Sequence, residues 1–276
     1  MSSSEASRKP IALPGWPTLS ERARDRWLSI ASPIGLLLIW EALAQLGLID
    51  TRFFPAPSSI LVYGYRLAVS GELLGHTAIT MQRMFWGTLI GGIPALVLGV
   101  IMGLNRPIRA LVEPLVAATY PIPKSAILPL ALLVFGLGEA SKVFMVAIGV
   151  FFPVIINATA GVLEINRIYL DVGHNFKASR LQMFRTIALP GALPMIITGF
   201  KLGIGIGLIM VCLAEMVGAK AGLGFMIWNA WQTFAVEQMY VGLFVIAIIG
   251  FLLTLAINEL ERLLVPWRTQ GTDSSA

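Results

Sequence analysis

The sequence predicts an all-α integral membrane protein that crosses the bilayer about six times. Three observations predict this. Of 276 residues, 57% are hydrophobic and only 13% charged, against about 25% charged in a typical soluble domain. Mean hydropathy is +0.80, so a bilayer is the natural solvent. The apolar residues gather in continuous runs near the length that covers the hydrocarbon core, about 20 residues of helix. The runs lack period-two alternation, which predicts helices rather than barrel strands.

The spans are expected at roughly 28–49, 81–104, 122–138, 141–165, 190–216 and 236–260. Together they make one transmembrane domain, 28–268. Residues 1–27 are polar, hold Arg8, Lys9, Arg22, Arg24 and Arg26, and are expected in the cytoplasm. The run that follows is too long for a signal-peptide core and has no small-residue cleavage site, so it reads as an uncleaved span. Segment 55–72 opens Pro55-Ala56-Pro57-Ser58-Ser59. A serine there caps a short surface helix through Ser70, and Gly71 stops it. The third run is short, which predicts a tilted or partly re-entrant segment. The tail 269–276 is polar and expected to fray.

Basic residues orient the spans. With the N-terminus inside, the inner segments hold the five arginines and lysines of 1–27, then Arg106, Arg109, Lys124, Arg167, Lys177, Arg180, Arg185, Arg262 and Arg268. The outer ones hold Arg52, Arg66, Arg83, Lys142 and Lys220. Both termini are therefore expected in the cytoplasm. The net charge of +5 reflects this topology and is no sign of nucleic-acid binding.

Several functions are excluded. The single cysteine, Cys212, cannot form an internal disulfide, and His76 and His174 are too few for a metal site. There is no G-x-x-x-x-G-K-[ST] phosphate loop. Gly203-Ile204-Gly205-Ile206-Gly207 lies inside an apolar run with no strand before it, so it is no dinucleotide fingerprint. No catalytic dyad or triad is visible. The chain is expected to be neither an enzyme nor a cofactor binder.

Two spans carry small residues every fourth position: Gly87, Gly91, Ala95, Gly99 and Gly103 in one, Gly199, Gly203 and Gly207 in the other. Each set lines one helix face and admits a close neighbour, within the subunit or across a subunit interface. Lys201 falls near mid-membrane, where a charge costs about 2.5–3.5 kcal/mol. It either faces a pathway and favours anions or pairs with a carboxylate or carbonyl. Glu215 lies near the outer end of the same span, and Glu41, within the first span, reads as a lateral pairing residue or a proton relay. Glu139 flanks a Gly-x-Gly turn and is expected to be exposed. His76, near Thr77 and Thr80, reads as an interfacial residue.

The longest inner connection is 166–194, NRIYLDVGHNFKASRLQMFRTIALPGALP. Phe176, Leu181, Phe184 and Ile187 recur at helical spacing with Arg180 and Arg185 between them, which predicts one or two amphipathic helices. Their partner is either the lipid headgroups or a groove in another protein. This stretch resembles the cytoplasmic loop of ABC importer permeases, EAA-x3-G-x9-I-x-L-P. Asp171-Val172-Gly173 stand where Glu-Ala-Ala are usual and Lys177 where glycine is usual; Ile187, Leu189 and Pro190 keep every spacing. Glycine at that point permits a sharp turn, and a left-handed lysine costs about 1 kcal/mol or more.

The segments 53–61, 135–142, 189–205 and 221–227 are similar to the nitrate, taurine, alkanesulfonate and bicarbonate group of these permeases, and the likeness covers roughly 30–268. It implies a type I ABC importer (MetI-like) permease fold in the bacterial inner membrane. Its implied partners are two cytoplasmic ABC ATPases, a periplasmic or lipid-anchored substrate-binding protein, membrane lipid and a second permease copy. Asp171 to Arg185 would be the docking segment, anchored by residues such as Phe176, Phe184 and Arg185. The implied cargo is a small solute, an anion such as nitrate, a sulfonate, taurine or bicarbonate, with an uncharged heterocycle as the alternative. An ion-gradient-driven transporter would instead show paired intramembrane acids in repeated halves, and no repeat is visible.

Overall fold

The structure is a computed structural model describing residues 21–179 and 182–266. Most of the expected N-terminal segment, Arg180 and the tail lie outside the described residues. The chain forms two compact units, one up to Ser58 and one from Ser59, and each is described by itself.

The first unit is helix α1 (Glu21–Gln45), with Pro33 inside it. In the loop after it, Gly47 takes φ +69°. Glu41 accepts hydrogen bonds from Gln45 Nε2 at 2.9 Å and from the Ser58 amide and hydroxyl at 2.9 and 2.8 Å. This ties the helix to Ser58 at the end of the same unit.

The second unit contains α2 (Pro57–Val69) from Ser59 onward, α3 (Glu72–Leu104), α4 (Arg106–Thr119), α5 (Leu128–Phe135) and α6 (Glu139–Leu163). Then come α7 (Arg167–Asn175), α8 (Leu189–Met216), α9 (Leu223–Gln232) and α10 (Val236–Leu264). Gly71 (φ +80°) separates α2 from α3, as its sequence position predicts. At the core, α6 lies between α3 and α8.

Both glycine stripes are spent on α6. A Cβ on Gly87 would stand 2.4 Å from Val146 Cβ, one on Gly91 2.2 Å from the Ala147 carbonyl oxygen, and one on Gly103 2.4 Å from Val162 Cβ. Gly99 meets Ala158 in the same row. On the other side, Gly199 rests on Pro153, Val154 and Asn157, Gly203 on Val150, and Gly207 on Val146 and Val150. Backbones this close leave no room for side chains, and that is how helices gain packing where lipid supplies no hydrophobic drive. Of the two partners open to these stripes from sequence, the same subunit is the one observed.

The registers also fix directions. Along α3 from Gly87 to Gly103 the partners on α6 advance from Val146 to Val162, so α3 and α6 are parallel. Gly199 to Gly207 meet partners that recede along α6, so α8 is antiparallel to it. Contacts of Leu208 with Gly250 and of Lys201 with Asn258 set α10 antiparallel to α8.

Parallel α3 and α6 require the chain between them to return across the whole bundle. From Arg83 to Gly103 the helix rises about 30 Å, the thickness of the hydrocarbon core. The return is made by α4 and by the 3-10 turn Lys124–Ile127 running into α5, two pieces bent by 89°. Tyr120-Pro121-Ile122-Pro123 forms the break, where two prolines remove backbone donors. The third crossing thus starts at Arg106, earlier than the expected 122. Sequence hydropathy passes over α4 because Arg106, Arg109 and Glu113 dilute its apolar face. Lys124, counted from sequence as an inner-face cation, lies at the break with its ammonium 4.0 Å over the Phe152 ring, midway along α6.

Among the described residues, four helices are long and apolar enough to cross a membrane: α3, α6, Met183–Met216 and α10; the bent pair makes a fifth. The first expected span, 28–49, corresponds to the apolar part of α1.

Candidate functional site

The segment between α6 and α8 folds as a helix, a left-handed turn and a second helix. At the end of α7 the Ala178 amide donates to Gly173 O at 3.0 Å, the six-to-one closure of a Schellman motif. Lys177 supplies the left-handed residue at φ +49°. The turn that glycine would make is therefore present, made by lysine. Ser179 then opens the second helix: its amide donates to Gln182 Oε1 at 2.8 Å, and the Gln182 amide donates to Ser179 Oγ at 3.3 Å. This is a capping box, and the Ser-x-x-Gln spacing announced it in the sequence. Met183–Ala188 continue as a π-helical turn directly into α8.

Gly173 locks the two arms together. A Cβ there would lie 2.7 Å from Met183 Cε and 2.8 Å from Ile187 Cδ1. The motif's third position and its isoleucine thus touch. Gly191 similarly sits 3.0 Å, measured from an added Cβ, from Ile165 Cγ1. A groove of about 320 Å³ runs between the arms, lined by Ile165, Tyr169, Thr186, Ile187, Pro190 and Gly191.

The side chains divide into two sets. Ile168, Val172 and Phe176, spaced by four, form an exposed apolar stripe with Tyr169 beside it, and Phe176 is 84% exposed. Asp171, Lys177 and Arg185 are exposed around it. Phe184, expected beside Phe176 as a docking anchor, instead packs inward. It lies with Leu189 on the core formed by Val100, Ala158, Val162, Ala192 and Ile196. The π-helical turn shifts the phase of this stretch, which turns Phe184 toward α3 and α6. Arg180 lies outside the described residues.

At the opposite end of the three-helix core sits a buried charge cluster. Arg83 on α3 donates through Nη1 to Glu215 Oε1 and to Ala221 O, both at 2.8 Å. It also donates through Nε and Nη2 to the two oxygens of Glu139 at 2.6 Å each. Glu215 is 0% exposed. It accepts further bonds from Thr80 Oγ1 at 2.9 Å and from the Gly224 amide at 2.8 Å. The Leu223 amide donates to Thr80 Oγ1 at 2.8 Å and the Gly222 amide to His76 Nδ1 at 3.0 Å. Three amides at the N-terminus of α9, which have no intrahelical acceptors, are thus satisfied by α3 and α8. The Glu215 charge also suits the positive end of the α9 dipole. Lys142, buried as well, donates to the carbonyls of Leu137 and Gly218. This joins four elements at one point and gives Glu215 a structural setting. Lys201, half-buried, donates to Asn258 Oδ1 on α10, a neutral amide where sequence suggested a carboxylate or backbone carbonyl.

Comparison with known proteins decides the family. Residues 95–270 match the binding-protein-dependent transport system inner membrane component family. The taurine transport system permease protein of Escherichia coli K12 is 35% identical over 90% of this chain and 94% of its own. A putative aliphatic sulfonates transport permease protein of Bacillus subtilis 168 is 31% identical over 90% of each. The chain belongs to this permease family. An inward-facing structure of the MetNI methionine ABC transporter superposes with TM-score 0.56 at 19% identity, covering 68% of this chain and 91% of that one; it shares the fold.

The protein is accordingly a multi-pass permease of an ABC importer in the inner membrane and not an enzyme. A permease of this class works with a separate ATPase and a substrate-binding protein. Among the described residues no His, Cys, Asp and Glu cluster fits a metal. Sequence reasoning counted Arg83 only as an outer-face charge. Its signal was periodicity: Thr80, Arg83 and Gly87 fall on one face of α3, the face that packs on α6, so Arg83 had to be buried and paired.

Proposed function

We propose that this permease imports a small organosulfonate anion, as a homodimer with both termini in the cytoplasm and one ATPase gripping each α7 turn. The observation that carries the coupling role is the exposed stripe Ile168–Val172–Phe176 on a short helix whose turn is held by Lys177, Ser179 and Gln182. An apolar stripe on a helix of nine residues is not left in water without a partner, and a groove on an ATPase is the occupant its spacing suits. The stripe is rigidly joined to α8 through Gly173, Met183 and Ile187. A pull on α7 is thereby passed to a helix that crosses the membrane beside α6.

The sulfonate assignment follows the names of the two relatives, taurine and aliphatic sulfonates, at 35% and 31% identity. The test is uptake of radiolabelled taurine and ethanesulfonate by proteoliposomes holding permease, ATPase and binding protein. ATP-dependent accumulation of either supports the assignment, and accumulation of neither refutes it.

A further inference from the structure

We propose that the break between α4 and α5 is an anion-binding station on the translocation pathway, with Lys124 supplying the attraction and Ser125 a hydrogen bond. The inference rests on the reading of the cargo as an anion and assigns it a place in the membrane.

Depth is the first argument. The break has Phe152 beneath it, the middle of a 25-residue span, and the halves α4 and α5 lead from it to opposite ends of the core. Lys124 and the exposed Ser125 are thus polar groups at mid-membrane. Such groups face a bundle interior or a wet cavity rather than lipid. In secondary transporters, discontinuous helices that meet at the midplane hold the cargo, and the broken crossing here has the same local geometry.

The second argument is charge. The ammonium of Lys124 donates to the carbonyls of Thr119, Tyr120 and Ile122 at 3.1, 2.8 and 3.0 Å. The rings of Phe152 and Tyr120 lie 4.0 and 5.6 Å from it. Carbonyls and ring faces hold a cation in place but do not cancel its charge. No carboxylate pairs with it among the described residues, whereas Arg83 at the other polar cluster has two. Lys124 is a fixed, uncompensated cation in a low-dielectric region, and an anion is the complement it lacks. The neighbouring Ser125 hydroxyl, free to rotate, offers the donor that a sulfonate oxygen accepts.

The test uses the assembled transporter in nanodiscs, carrying Cys212→Ala and Ser125→Cys. The thiol is reacted with an anionic methanethiosulfonate ethylsulfonate and with its cationic trimethylammonium analogue. Each rate is divided by the rate on a free thiol. The station predicts that the anionic reagent is favoured about 5- to 10-fold, as one nearby charge gives in a partly wet cleft. The preference disappears with Lys124→Met and persists with Lys124→Arg. If Lys124→Met does not assemble, Lys124→Gln removes the charge and keeps hydrogen-bond donors. No reaction with either reagent places Ser125 against lipid or protein and overturns the proposal. So does a preference unchanged by loss of the charge, which leaves Lys124 as a cap on α4 only. An intact preference in a complex that imports neither taurine nor ethanesulfonate supports the station and refutes the sulfonate assignment.

Discussion

Arg83→Met should be among the most damaging single substitutions in the bundle, and the reason is asymmetric burial of its two partners. Glu139 has a side chain 69% exposed, whereas Glu215 has one 0% exposed. An exposed ion pair is worth about 0.2–1 kcal/mol. Removing one partner of a buried pair costs about 3–5 kcal/mol, because a charge is stranded. Glu139→Gln should therefore cost under about 1 kcal/mol. Arg83→Met should lower the melting temperature by roughly 6–20 °C, at about 2–4 °C per kcal/mol. Adding Glu215→Gln to Arg83→Met should restore much of the loss, since an amide carries no charge to strand and still accepts from Thr80 and Gly224. Tryptophan fluorescence melts of the transporter in nanodiscs measure all three variants against the unsubstituted protein. Equal damage from Glu139→Gln and Arg83→Met, or a double variant worse than Arg83→Met, would refute the reasoning.

Other consequences are simpler. Lys177→Gly removes a left-handed side chain at φ +49° and should stabilise the turn by about 1 kcal/mol, read as a higher melting temperature with ATPase capture unchanged. Gly91→Ala should destabilise by about 1–3 kcal/mol, because the added methyl would stand 2.2 Å from the Ala147 carbonyl oxygen. Gly205→Ala, with nothing within 4 Å, should be neutral or stabilising by up to about 1 kcal/mol, and the pair of melts separates close packing from general glycine loss.

The sequence showed these packing faces because glycine every fourth residue has one physical meaning in a bilayer. It also showed the position of the turn before α8, although the residue there, Lys177, disfavours it. Tertiary closure by Gly173 on Met183 and Ile187 outweighs that local cost. Two features escaped for related reasons. Hydropathy averaged over a window cannot see that an amphipathic helix with Arg106 and Arg109 belongs to a crossing, so α4 read as connector and Lys124 as surface charge. The Pro121-Ile122-Pro123 triplet marked the break more plainly than hydropathy did. A regular α-helical phase places Phe184 on the docking face, and the π-helical turn Met183–Ala188 rotates that phase. The Ser179–Gln182 capping box is legible in the sequence as Ser-x-x-Gln.

The central claim is that an ATPase grips the exposed stripe of α7. It is tested most directly by purifying tagged permease carrying Phe176→Asp, a residue 84% exposed with no role in the core, and measuring the ATPase that comes with it. The account predicts normal permease abundance in the membrane with ATPase reduced at least about tenfold, the effect of burying a charge in an apolar groove. Full recovery of the ATPase with Phe176→Asp would contradict it.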